Sequence, residues 1–141
     1  MPELEYMLLA DHAEAANGKL SVLGAGWTDL WRAPRPPDAP PPVTHFGIAV
    51  SVLIPWTETN RRHHLALRIE DEDGGNQVAT VETDLEMGRP PGLPSGSDQR
   101  ALLALNTDIN FPNAGGWRVI AQLGEQVRTA SFRVHDQLPP G

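Results

Sequence analysis

In the stretch HFGIAVSVLIP, Phe46, Ile48, Val50, Val52 and Ile54 fall on one side of an extended chain, while His45, Gly47, Ala49 and Ser51 fall on the other. A helix would scatter these apolar residues around its circumference, so the alternation commits the segment to a half-buried strand. The same period recurs. HLALRIE sets Leu65, Leu67 and Ile69 against His64, Ala66, Arg68 and Glu70. After a glycine pair, VATVETDLEM sets Ala79, Val81, Thr83, Leu85 and Met87 against Glu82, Asp84 and Glu86, and the two segments read as a hairpin. ALLALNTDI places Leu103, Leu105 and Ile109 on one face, and WRVIAQL aligns Trp117, Val119, Ala121 and Leu123. A Gly124-Glu125 turn then leads to VRTASFRV, with Ala130, Phe132 and Val134 inward, as a second hairpin. Turn signals at roughly ten-residue spacing are those of a sandwich or barrel.

The first segment fits two periods. Leu4, Met7, Leu8 and Asp11 make a helical stripe, with Asn17-Gly18 as its cap. Leu4, Tyr6, Leu8 and Ala10 also alternate, and Asn-Gly followed by KLSVLGAGW is a strong hairpin signal, so strand, turn, strand is preferred. Proline (14) and glycine (13) are abundant and must sit in turns, edges and connections. Two proline-rich stretches, 32–42 and 88–100, read as surface loops, the first as a crossover between sheets. Residues 136–141 read as a frayed tail. The length suits one domain over residues 1–141.

Charge and composition exclude several functions. A net charge of −7, with Lys19 as the sole lysine, opposes nucleic acid and anionic membranes as partners. The basic pair Arg61-Arg62 follows Glu58 and reads as a solvated loop. No cysteine is present, so thiolate chemistry and disulfides are absent. The opening MPELEYMLLADHAEAA lacks a basic leader and carries Glu3 and Glu5, so a soluble cytoplasmic protein is expected.

The densest set of candidate ligands is RIEDEDGGNQV. Fitted to an EF-hand with Gly74 as its obligatory glycine, it puts Ile69 first and Thr80 last, where carboxylates are required. The flanks are strands besides. Asp71 and Asp73 therefore read as a hairpin tip, with a calcium site built from several loops as the alternative, Asp98 or Asp108 completing it. His63 and His64 point to opposite faces of a strand, and His12 and His45 stand alone. Ser95 lacks the spacing of a nucleophile elbow, and Gly24-Ala25-Gly26 lacks the third glycine and helix of a dinucleotide fingerprint. Trp117 begins an apolar strand and reads as core. Trp27, Trp31 and Trp56 flank turns or prolines, where an indole either plugs an end of the core or forms part of a binding surface.

Taken together, LEYMLLADHAE, NGKLSVLGAGW, HLALRIEDEDG and the closing AGGWRVIAQL and SFRV resemble a family of small uncharacterised bacterial proteins, frequent in actinobacteria, known as a domain of unknown function. The resemblance implies an antiparallel, immunoglobulin-like β-sandwich and a strand for the first segment. It implies no activity, ligand or catalytic residue. The expectation is thus an all-β sandwich of about eight strands, without catalytic residues or cofactor. It is expected to act as a protein-binding or scaffold module through a sheet edge, or through the loops carrying Trp27, Trp31, Trp56 and Arg89 to Arg100, with self-pairing to a homodimer as one form. Trp27, Trp31, Trp56, Arg89, Asp98 and Arg100 are the candidate binding residues. A calcium- or small-ligand-dependent sandwich and an enzyme of undescribed type are the rival readings.

Overall fold

In the computed structural model, which describes residues 1–140, nine strands run in chain order. They are β1 (Glu3–Ala16), β2 (Lys19–Ala25), β3 (Asp29–Trp31), β4 (Thr44–Ile54), β5 (His63–Asp71), β6 (Gln77–Leu85), β7 (Gln99–Ile109), β8 (Gly115–Leu123) and β9 (Gln126–His135). One sheet has the order β2-β1-β4-β7 and the other β3-β9-β8-β5-β6. The fold is an all-β sandwich, antiparallel except where β3 joins β9 in parallel. Both proline-rich loops carry the chain from one sheet to the other, 32–42 from β3 to β4 and 88–98 from β6 to β7. The second loop ends earlier than the composition suggests, because Gln99 and Arg100 already pair with β4.

The inner faces expected from alternation form the core in β4, β5 and β8, while on β6 Val81 is exposed and on β7 Leu103 and Leu105 are only partly buried. Phe46, Val50, Val52, Ile54, Leu65 and Val119 are wholly inaccessible, and Trp117, Phe132 and Val134 nearly so. At one end an aromatic cluster joins the sheets. Phe111 lies 5.0 Å from Trp117 and 5.6 Å from Phe132, while Phe46 lies 5.8 Å from Phe132. Their tilted and edge-on packing adds to the gain from burying such large side chains.

The first hairpin forms as preferred, with Asn17 (φ 53°) and Gly18 (φ 71°) in the left-handed region that a tight two-residue turn requires. Its faces differ from the simple alternation. A bulge between Leu4 and Tyr6 inserts Glu5, so Leu4 points inward opposite Val52 while Tyr6 falls opposite the outward Ser51. Met7 and Leu9 then face the core, and Leu8 is exposed. The helix-like spacing of Leu4 and Met7 is the imprint of that extra residue.

Three features of the structure lie outside the sequence pattern for identifiable reasons. The ninth strand, β3, is only Asp29–Trp31, too short for a periodic signal. Asp136, the first residue of the stretch read as a tail, forms an ion pair with the buried Arg32 guanidinium, which also donates to the Phe111 carbonyl at 2.8 Å. Gly141 lies outside the described residues. Finally, β4 has almost no wet face: Gly47, Ala49 and Ser51 point away from the interior yet are buried. The β1–β2 hairpin folds over this surface, and Asn106 holds it, accepting from the Ala13 amide at 3.0 Å and donating to the Ala13 carbonyl at 2.8 Å.

A Cβ added at Gly47 would meet the Ala13 backbone nitrogen at 2.9 Å and the Asn106 amide oxygen at 2.8 Å. Gly47→Ala is expected to lift the hairpin and destabilise the protein by about 1–3 kcal/mol, measured by urea unfolding. Hydrogen exchange at the Ala13 amide should accelerate in Gly47→Ala and in Asn106→Ala alike; unchanged protection in both would exclude this clamp.

Candidate functional site

Strand β7 pairs with β4 along its whole length, from Gln99 to Ile109, and among the described residues no strand pairs with its other side. Backbone groups of alternate residues therefore point outward from this edge. The edge lies at the bottom of a groove. Beside Arg100–Leu103, a cavity of about 360 Å³ is bounded by the hairpin tip Ala15–Lys19, by Leu85 at the end of β6 and by Met87 just beyond it. Beside Leu105–Thr107, a smaller cavity of about 110 Å³ opens between the sheets onto Ile48, Leu67, Ile69 and Val81. The two edge strands β6 and β7 are thus splayed, leaving Leu103, Leu105, Leu85 and Met87 only partly buried against the core.

Charges mark the two ends of β7. At one, Arg100 makes a two-pronged contact with Glu5, at 2.7 and 2.9 Å, and Glu5 also accepts from the Ser51 hydroxyl at 2.9 Å. The Arg100 guanidinium, followed by Ser51, holds the Glu5 carboxyl below its ordinary range. At the other end His45 Nδ1 lies 2.8 Å from Asp108, and His45 Nε2 lies 3.4 Å from His12 Nδ1. Asp108 accepts from His45 Nδ1, and His12 Nε2 in turn lies 3.5 Å from Glu14. The two rings stack with centroids 5.7 Å apart. In sequence these histidines stood alone; the pairing of β1 with β4 brings them together, and nothing in the local pattern signalled it.

The expected site residues divide into separate places. Trp27 plugs the aromatic end, 5.9 Å from both Phe46 and Phe132, with its buried indole N–H unpaired. Trp31 stacks on His135 at 4.1 Å, and His135 contacts Asp29 at 2.7 Å. Trp56 and Arg89 do meet, at the opposite end: the guanidinium lies 4.0 Å over the indole and donates to Thr59 Oγ1 and the Trp56 carbonyl. Asp98 is exposed in the loop before β7, where its charge favours the Arg100 cation. Of the six, only Arg100 belongs to the groove.

The acidic hairpin tip is a turn. One Asp71 oxygen accepts from the Gly75 amide at 2.9 Å and the other from Asn76 Nδ2 at 3.0 Å. The Asp71 carbonyl accepts from the Gly74 amide at 3.0 Å, and Gly74 takes a φ of 73°. Asp73 is exposed. Among the described residues no three His, Asp or Glu side chains gather as a metal ion would need. Glu70, outward as expected, is nevertheless buried; it pairs with Arg118 at 2.8 Å and Arg68 at 3.6 Å over the outer surface.

A family model described as a family of unknown function matches residues 5–135. A comparison with the curated proteins finds no match.

Since both Asp71 oxygens already hold turn donors, melting in millimolar calcium and in chelator should give the same midpoint; a rise with calcium would show a native-state site. Acid should weaken the fold. Glu5, Asp29 and Asp136 are held low by hydrogen bonds from Arg100, His135 and Arg32 respectively. Their contribution is present above the ordinary carboxylate range and disappears as pH falls through the lowered values. His64 is the opposite case. Asp84, then Glu82, raises it above its ordinary 6.5, so its contribution is complete below that value and is lost as pH rises through the raised one. His64→Gln should therefore flatten the pH dependence of urea unfolding near neutrality while leaving the acid limb in place.

Proposed function

The chain belongs to this family of unknown function, DUF6941, and we propose that it is a non-catalytic protein-binding module that recruits an extended polypeptide along the β7 edge. The observation that carries the reading is the groove itself. A strand laid beside β7 would satisfy its outward amides and carbonyls and place alternate side chains against Leu103, Leu105, Leu85 and Met87. Between Arg100 and Asp108 the strand is uncharged, ALLALNT, and it contains neither proline nor lysine, the usual protections of an unpaired edge.

The composition of the groove supports binding over catalysis. The larger cavity is lined mainly by apolar side chains, with Asn17 and the charged Lys19 and Arg100 as its polar lining residues. It presents no carboxylate or imidazole to act as general base or acid there. No helix among the described residues is long and apolar enough to cross a membrane. We place the module in the cytoplasm, where a chain without cysteine relies on packing alone.

Photoreactive side chains at Leu102 and Thr107 of the intact chain, expressed in its native cell, test the proposal. They should yield polypeptide adducts well above those from Val127, which is exposed on β9 away from the groove. Adducts no more frequent at β7 than at Val127 would overturn it.

A further inference from the structure

We infer that the occupant of the β7 edge is β7 of a second copy, paired antiparallel about a twofold axis through Ala104. The inference rests on the edge-binding reading above and supplies its partner.

The four exposed edges are unequal. Strand β3 has three residues, and β2 has seven, with Lys19 at its start and Gly24 in a left-handed conformation near its end. Strand β6 carries Glu82 and Asp84, so two copies laid together would set like charges against each other. Strand β7 is eleven residues long and uncharged through its middle.

Its charge pattern also selects the register. A twofold axis places residues equidistant from the pivot opposite one another. With the pivot at Ala104, Arg100 faces the partner's Asp108, Leu103 faces the partner's Leu105, and Leu102 faces the partner's Asn106. Both Arg100 and Asp108 side chains are more than half exposed, at 57% and 67%, and opposite charges in facing positions stabilise a strand pair. Moving the pivot to Leu103 instead opposes Asp98 to Asp108, and moving it to Leu105 opposes Leu102 to Asp108. A pivot between residues would set the inward positions of one copy opposite the outward positions of the other, whereas facing residues of an antiparallel pair lie on the same face of the sheet.

At Ala104 the contact extends two existing networks. Glu5 and Arg100 of one copy meet the partner's Asp108 and His45, at both ends of the joined edge. The hairpin tip lies beside Arg100–Leu103, so the two tips stand at opposite ends and each brings Lys19 toward the partner's Asp108. The four-stranded sheets become one continuous sheet with β7 at its centre.

Light scattering of the purified full chain across a concentration series tests this directly, with the mass expected to rise from 15.3 kDa toward twice that value. Because the chain has no cysteine, Ala104→Cys introduces one thiol on the axis, within disulfide reach of its own copy. Mild oxidation should yield a covalent dimer from Ala104→Cys and not from Leu102→Cys, whose partner copy lies several residues away. Arg100→Asp and Asp108→Arg should each weaken association, and the double exchange should recover it. A constant 15.3 kDa mass, or crosslinking at Leu102→Cys as fast as at Ala104→Cys, overturns the inference. If the purified chain stays monomeric while photoreactive β7 captures a different polypeptide, this inference fails and the edge-binding reading stands; if β7 captures nothing, both fail.

Discussion

Strand β4 is enclosed on both faces, and the rest of the molecule follows from that. Its inward side chains, Phe46 through Ile54, meet the opposite sheet, as a sandwich demands. Its central outward positions are Gly47, Ala49 and Ser51, none larger than a hydroxymethyl group. These small residues let the backbone of His12 and Ala13 pass directly over Gly47. The hairpin that crosses there has its amide and carbonyl matched by Asn106, so the crossing leaves no orphaned polar group at that point.

The crossing also shapes the flank where function is proposed. By reaching past β4 to Arg100–Leu103, the hairpin tip builds one wall of a groove whose other wall is Leu85 and Met87. The floor is an unpaired strand edge. Sandwiches commonly protect such edges with charge, brevity or bulges, and three edges of this protein use at least one of these. The fourth does not, and its charges, Arg100 and Asp108, sit only near the ends.

Strand periods and turn residues were local properties, and they were legible. Phe46–Ile54, Leu65–Ile69 and Trp117–Leu123 bury the faces that alternation assigns them, and Asn17-Gly18 turns the chain where its chemistry favours a left-handed pair. The acidic run also resolves locally, with Asp71 capping its own turn. Legibility fails where one residue breaks the period. The insertion of Glu5 changes which side chains of β1 face inward, and a sequence reader sees in it a hint of helix. The buried Arg32 was equally hidden in a proline-rich stretch, because its partners, Asp136 and the Phe111 carbonyl, are far away in the chain.

The candidate site was less legible than the fold. Aromatic residues near turns drew attention to Trp27, Trp31 and Trp56, yet one fills the core end, one stacks on His135 and one lies under Arg89. By itself the sequence determined that this chain is a β-sandwich with buried alternating faces, since strand geometry is set by the side-chain period of each segment. Only the tertiary structure decided which strand is left unpaired, that His12 meets His45, and that a hairpin walls the β7 edge. Those are facts of strand order, and strand order arises from contacts between residues that have no regular spacing in the chain.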